Sequence, residues 1–347
     1  MSSQQDTKDN QIISFQFKEI PIDSYTFPTE LNNTFAVFRT TNNLLYLVFS
    51  DINKSIIFFA LISNKAVCTI KKAHKDYITN FRHLLDKKNY RDLLLSISAD
   101  DRNIKLWNIN RCECILNIEK IYSKGQIYSA CFLEEDTQIF IIVSHNSNFI
   151  SPEAIKVFDL NGNKIKELND SKTSTNFIDC FYDKKLSKNF LIRGKNGNLN
   201  SYDYKENKIY KDYYDEDTSL LNNKYIHFVI NLKKKEKGND ANNVELIASH
   251  YDSNIRIWNF HSGELIKKIK IGINLGGICL WKNKYLFSTC KNGTIKFVDL
   301  ENDKIIRNID AHPGQIINIE KINHPIYGTC LITQNLGKNK IKFWINQ

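Results

Sequence analysis

The chain has 347 residues, 42% hydrophobic and 25% charged, a globular composition with ample length for a large core. No apolar run approaches the ~20 residues of a membrane-spanning helix. Lys and Arg number 48 against 38 Asp and Glu, a formal net charge of +10. That surplus would favour polyanions at long range. Lys, Asn and Ile are abundant along the whole chain, however, so a general compositional bias accounts for it.

From the start, "MSSQQDTKDN" is polar and has no hydrophobic signal core. Export is not expected; a cytoplasmic or nuclear location with reduced thiols is. These ten residues read as a mobile tail. The eight cysteines are scattered, mostly in apolar runs where a thiol acts as a small hydrophobe. Only Cys112 and Cys114 are close, and the second pair that a zinc site needs is missing.

Residues 11–20, "QIISFQFKEI", alternate Ile13, Phe15 and Phe17 with Ser14, Gln16 and Lys18, the period of a strand. Next comes a series. "SIIFFAL" (55–61), "NIKLWNI" (103–109), "AIKVFDL" (154–160), "NLNSYDY" (198–204), "NIRIWNF" (254–260), "TIKFVDL" (294–300) and "KIKFWIN" (340–346) align on Phe59, Trp107, Phe158, Tyr202, Trp258, Val298 and Trp344. The spacing is about forty to fifty-five residues, the mark of a propeller array. Each copy is a set of short Ile-, Val-, Phe- and Tyr-rich runs parted by Asn, Asp, Gly and Lys. In the second copy "YITNFRHLL", "DLLLSISA", "NIKLWNI" and "CECILNI" read as four successive strands. Units this small cannot bury their own faces and must stack.

"KAH" (72–74), Asp101 and "WN" (107–108) in the second copy, "DAH" (310–312) and Trp344 in the last, and "YDSNIRIWN" (251–259) in the fifth carry a resemblance to WD-repeat β-propellers. "VFD", "SYD" and "FVD" keep the Asp without the Trp. The resemblance covers residues 11–347 and implies a seven-bladed, all-β propeller with four-stranded antiparallel blades. It further implies a hydrogen-bonded tetrad within a blade: His74, Ser98 (Ser96 is the alternative), Asp101 and Trp107. Asp252 and Trp258 remain of it in the fifth blade, His312 and Trp344 in the seventh, where Lys338 stands in for the Asp.

The last copy ends three residues past Trp344 and lacks an outer strand. Residues 11–20 are expected to supply it, closing the ring and removing open edges. Blade limits follow at about 24–70, 71–116, 117–168, 169–211, 212–269, 270–309, and 310–347 with 11–20.

Chemistry is sparse. "GINLGG" (272–277) lacks the strand–helix setting and Lys-Ser ending of a phosphate loop. No Gly-x-Ser-x-Gly elbow occurs. The histidines outside the tetrads show no partner pattern, and "EED" (134–136) reads as a hairpin loop. "LIRG" (191–194) carries one Arg where phosphoinositide-binding propellers carry two. No catalytic residue, cofactor, metal or small-molecule substrate is expected. The expected role is a non-catalytic protein-interaction scaffold, monomeric within a hetero-complex, that binds peptides or domains on the top face. That face holds the inter-blade loops and the turns between second and third strands. The contact residues expected from their place there are Tyr77, Arg102, Tyr213, Tyr214, Tyr251 and Lys291. "KDYYDEDTS" (211–219) suits a basic peptide, and "HNSNFISPE" (145–153) would shape the rim. The alternative role is an RNA- or ribonucleoprotein-associated factor. Its polyanion contact would be the basic insertion "KKKEKGNDANN" (233–243), though that loop lacks the interleaved aromatics of a single-strand platform.

Overall fold

The computed structural model describes residues 17–19, 31–146, 153–168, 175–195, 198–215, 228–233, 245–251, 253–272, 277–282, 284–335 and 341–346. They form strands numbered β1 to β28 in chain order, with no helix long and apolar enough to cross a membrane. The strands make seven four-stranded antiparallel sheets. Blades 1 to 6 are β2–β5 (31–70), β6–β9 (78–118), β10–β13 (126–167), β14–β17 (177–213), β18–β21 (228–270) and β22–β25 (278–310). Blade 7 combines β26 (Ile316–His324), β27 (Gly328–Asn335) and β28 (Ile341–Asn346) with β1 (Phe17–Glu19). Within a blade the strands are called a to d from the axis outward; the N-terminal β1 is strand d of blade 7.

The a strands adjoin one another around a complete circuit: β2 meets β6, then β10, β14, β18, β22, β26 and β2 again. The closing pair is antiparallel, Phe17 opposite Asn346, Lys18 opposite Ile345 and Glu19 opposite Trp344. The N-terminal segment therefore completes the last blade as its alternation suggests. The structure describes its residues 17–19; the tail and residues 11–16 lie outside the described residues.

Burial explains why seven weak repeats make one body. The b and c strands read as near-continuous apolar runs, as in Arg91–Ser98, where all but the first residue are buried. Outer strands such as Glu113–Ile118 face solvent and are half-buried at most. Among the described residues seven hydrophobic clusters result, and each is shared by two neighbouring blades. Phe58 of blade 1 packs with Leu94 and Trp107 of blade 2, and Phe59 of blade 1 with Ile332 and Phe343 of blade 7. Apolar burial is worth roughly 25 cal/mol per Å², so each blade gains stability from both of its neighbours.

The seven aligned positions coincide in the structure. Phe59, Trp107, Phe158, Tyr202, Trp258, Val298 and Trp344 all lie on c strands and are all buried. In blades 1 to 6 the c–d pairing slips register at the aligned residue, as between Leu106 and Trp107 and between Ile257 and Trp258. Such bulges bend and twist the outer strand. In blades 3 to 6 the Asp or Asn just after the aligned residue caps the following turn. Asp159 Oδ1 accepts N–H groups of Asn161 and Asn163, Asn259 Oδ1 those of His261 and Ser262, and Asp299 Oδ1 those of Glu301 and Asn302. Asn and Asp suit such turns because the short side chain bonds its own backbone two or three residues on.

Candidate interaction surface

The tetrad positions set how the loops are held. In blade 2, His74 Nε2 lies 2.7 Å from Ser96 Oγ, and Trp107 Nε1 donates to the same oxygen at 2.8 Å. Ser96, not Ser98, therefore joins them. Leu94 pairs with Trp107 across the strands, which puts Ser96 two residues on, facing the same side of the sheet as the indole. Ser98 is buried two residues further, with no hydrogen-bond partner for its hydroxyl. Asp101 acts on the backbone. Its Oδ2 accepts the N–H groups of Lys75 at 2.7 Å and Asp76 at 2.9 Å, while His74 Nδ1 stands 3.9 Å away. The b–c turn is thereby tied to the loop that carries Tyr77.

Blade 7 repeats the bond pair, with His312 Nε2 and Trp344 Nε1 each 2.9 Å from Thr333 Oγ1. In blade 5 Trp258 donates to Ser249 Oγ at 2.8 Å. Asp252 and Lys338 lie outside the described residues. Burial holds His74 and His312 near pKa 4, helped by the nearby charges of Lys105 and Lys342 respectively; Asp101 opposes the shift at His74. Both rings are neutral at physiological pH. Blade 4 solves the same position differently. Arg193 is buried, its Nε donates to Asn200 at 2.8 Å, and its guanidinium sits 4.3 Å over the Tyr202 ring. It is an interior strand residue.

The expected contact residues separate. Tyr77 is 50% exposed, with Lys54 Nζ 5.4 Å from its ring centre. Arg102 is half-buried and already donates to the carbonyl oxygen of Ser123, bracing blade 2 on the connection to blade 3. Tyr214 and Lys291 are exposed, on the loop leaving blade 4 and the b–c turn of blade 6. Tyr213 is corrected: only 2% exposed, it donates from its hydroxyl to Phe260 O at 2.8 Å and packs with Trp258. It ends strand Lys208–Tyr213, so alternation turns it inward and Tyr214 outward. Tyr251 ends strand Glu245–Tyr251, and its side chain lies outside the described residues. So do residues 216–219, 147–152 and 234–243 of the three segments expected to bear contacts.

Two cysteines that are scattered in the sequence meet: Cys68 on the outer strand of blade 1 and Cys112 in the c–d turn of blade 2 lie within reach of a disulfide, with Cα atoms 6.7 Å apart. They are 44 residues apart in sequence, and only the stacking of two blades brings them together.

The feature that sequence reading misses is the mouth of the central channel. A recess of about 460 Å³ opens there, lined by a strands of blades 1, 2, 3, 4 and 7 and by Ala99 and Asp100 of a b–c turn. Its wall is polar: Asn80, Arg82, Gln126, Ser129, Asn318 and Glu320 among others. Gln126 Nε2 donates to Asp100 Oδ1 at 2.5 Å, and Arg82 Nη1 to Asn80 Oδ1 at 3.2 Å. Tyr128 on the same wall is 39% exposed. Glu320 is open to water along the channel yet surrounded by protein. That enclosure raises its pKa to about 7, with Arg82 acting the other way. The signal for this wall is present in the sequence as polar residues at every second position of an a strand, Asn318 and Glu320.

These features define a seven-bladed, all-β propeller, consistent with the WD-repeat type of fold. No protein-family model matches the chain, and no curated protein matches it significantly.

Proposed function

We propose that this protein is a WD-repeat-type scaffold without catalytic activity, a subunit of a multiprotein complex in the cytosol or nucleus. It binds peptides or domains of other proteins on its top face. Propellers commonly serve as interaction scaffolds, and binding is placed on loops held by a rigid frame. The observation that carries the reading is the recess at the channel mouth, with exposed Tyr128 on its wall and Tyr77 exposed on a loop of the same face. Tyr buries a large area with few rotors to freeze and anchors many interfaces. The bonds of His74, Ser96 and Asp101 hold the loop that carries Tyr77 before a partner arrives, which lowers the ordering cost of binding.

The test is affinity isolation of the full chain and of a Tyr77→Ala/Tyr128→Ala variant, with co-purifying chains identified. A set of proteins retained by the wild type and lost by the variant is expected. Identical sets from both would overturn the reading. The net charge of +10 favours a competing role on RNA or a ribonucleoprotein. Salt separates the two, because phosphate contacts release counterions and weaken steeply as ionic strength rises, whereas a tyrosine-anchored dock does not.

A further inference from the structure

The bottom face, which carries the a–b and c–d turns, has a concentration of exposed apolar side chains over blades 7, 1 and 2. The a–b turn of blade 7 presents Ile326, 71% exposed, and Tyr327; that of blade 1 presents Leu44; that of blade 2 presents Tyr90, 84% exposed. Large apolar side chains clustered at this degree of exposure mark interaction sites.

The turns that carry them are rigidly held. Buried His324 accepts the N–H groups of Ile326 and Tyr327 on its Nδ1, and its ring packs on Tyr327 with centroids 4.8 Å apart. Arg39 bridges two blades, donating to Asn323 O of blade 7 at 2.8 Å and to Asn43 Oδ1 in the blade 1 turn at 2.9 Å. Thr41 in that turn donates from its N–H and hydroxyl to Asp92 of blade 2, a buried carboxylate also paired with His83. Side chains fixed before contact lose little entropy on binding.

Beside Leu44 the surface is concave. A recess of about 370 Å³ between the outer half of blade 1 and the c–d turn of blade 2 is walled by Leu44, Tyr46, Phe58, Val67, Ile109 and Cys68, among others. A bilayer surface cannot fill such a hollow; a projecting side chain can. The surrounding charge is mainly positive, and exposed Glu113 at the edge of the recess is paired with Arg111. Arg39, Lys87 and Lys88 are exposed, while Asp86 and Asp92 on the same two blades are buried and engaged by Arg91 and His83. Of the three acids of blade 3 that share a cleft with Lys87 and Lys88, Glu135 and Asp136 are paired with Lys205, and Glu134 remains exposed at its far wall.

We propose that the bottom face over blades 7, 1 and 2 is a second docking surface, opposite the channel mouth, for an acidic protein segment bearing a large apolar side chain. The apolar side chain seats in the recess beside Leu44, Ile326 and Tyr327 cover the chain next to it, and its carboxylates face Arg39, Lys87 and Lys88. The surface is independent of the top-face reading.

The test pans a displayed random-peptide library against the full chain and counter-selects on Leu44→Asp and Ile326→Asp variants. Peptides with a Leu, Phe or Trp flanked by Asp and Glu are expected to be enriched on the wild type. A synthetic one should lose at least tenfold in affinity on Leu44→Asp and on Lys87→Glu/Lys88→Glu, and should bind Tyr77→Ala/Tyr128→Ala unchanged. Melting temperatures confirm folding, and the largely exposed Ile326 keeps the test valid if Leu44→Asp fails to fold. Enriched peptides that are not acidic, or that bind the Asp variants equally, would overturn the proposal. So would an absence of enriched peptides, with or without binding of anionic phosphatidylserine vesicles; vesicle binding would assign the face to lipid.

Discussion

His74 and Trp107 meet at one oxygen, the Ser96 hydroxyl, which lies 2.7 Å from the imidazole Nε2 and 2.8 Å from the indole Nε1. All three residues are buried. Ser96→Ala should therefore leave two buried nitrogens unpaired and destabilise the protein by about 1–3 kcal/mol. Ser98→Ala should change stability by under about 0.5 kcal/mol, because that hydroxyl has no partner to lose. Denaturant titration of both variants checks the assignment.

The two tetrad histidines make stability fall in acid. Each is held near pKa 4 in the folded state against an ordinary value of 6.5. Between those values the unfolded chain binds the proton and the folded chain does not. Stability from each is complete above about pH 6.5 and is lost as pH falls towards 4, with a slope of up to about 1.4 kcal/mol per pH unit per histidine. His312→Gln should remove one such slope, measured as unfolding free energy across pH 4–7.

Glu320 carries the opposite sign. Its folded pKa of about 7 lies above the ordinary 4.5, so the folded state holds the proton more tightly. The favourable state is complete below about pH 4.5 and is lost as pH rises through 7. Glu320→Gln should raise the melting temperature at pH 8 and leave it little changed at pH 4. A thermal scan at the two values decides it.

Arg256 is 1% exposed, and its Nε lies 2.6 Å from Asp215 Oδ2, an ion pair buried between the loop leaving blade 4 and the c strand of blade 5. Lys268 reaches the same oxygen at 3.0 Å. Arg256→Ala should cost about 3 kcal/mol, since it removes the buried cation from a mostly buried carboxylate. Lys268→Ala should cost under about 1 kcal/mol. Chemical denaturation measures both.

Deleting residues 1–20 should leave β28 as an open edge, lower the melting temperature and promote association. Size-exclusion chromatography and a thermal scan test this; an unchanged monomer would contradict the closure.

What was legible follows from range. Strand periodicity and the recurring aromatic are local, so the seven aligned residues and the need for a terminal strand can be read from the chain. The choice of Ser96 over Ser98 depends on the pairing of Leu94 with Trp107, which counting back from Asp101 does not reveal. Tyr213 misleads because its neighbours Tyr214 and Asp215 look like loop, while the strand runs one residue further than the acidic texture suggests. The meeting of Cys68 with Cys112, of Arg256 with Asp215, and of five a strands at one recess comes from blade stacking. No window along one chain contains it.

Residues 17–19 leave the ribosome long before their partners at 344–346. During synthesis the chain therefore grows as an arc whose newest blade lacks a neighbour, and blade 7 can be fastened only once residues 341–346 have emerged. Contacts this distant in sequence form slowly and leave apolar surface bare meanwhile. The protein should thus spend its nascent life dependent on chaperones that shield exposed sheet faces, and a bulky fusion ahead of residue 17 should hinder the final fastening more than the same fusion inserted in a surface turn.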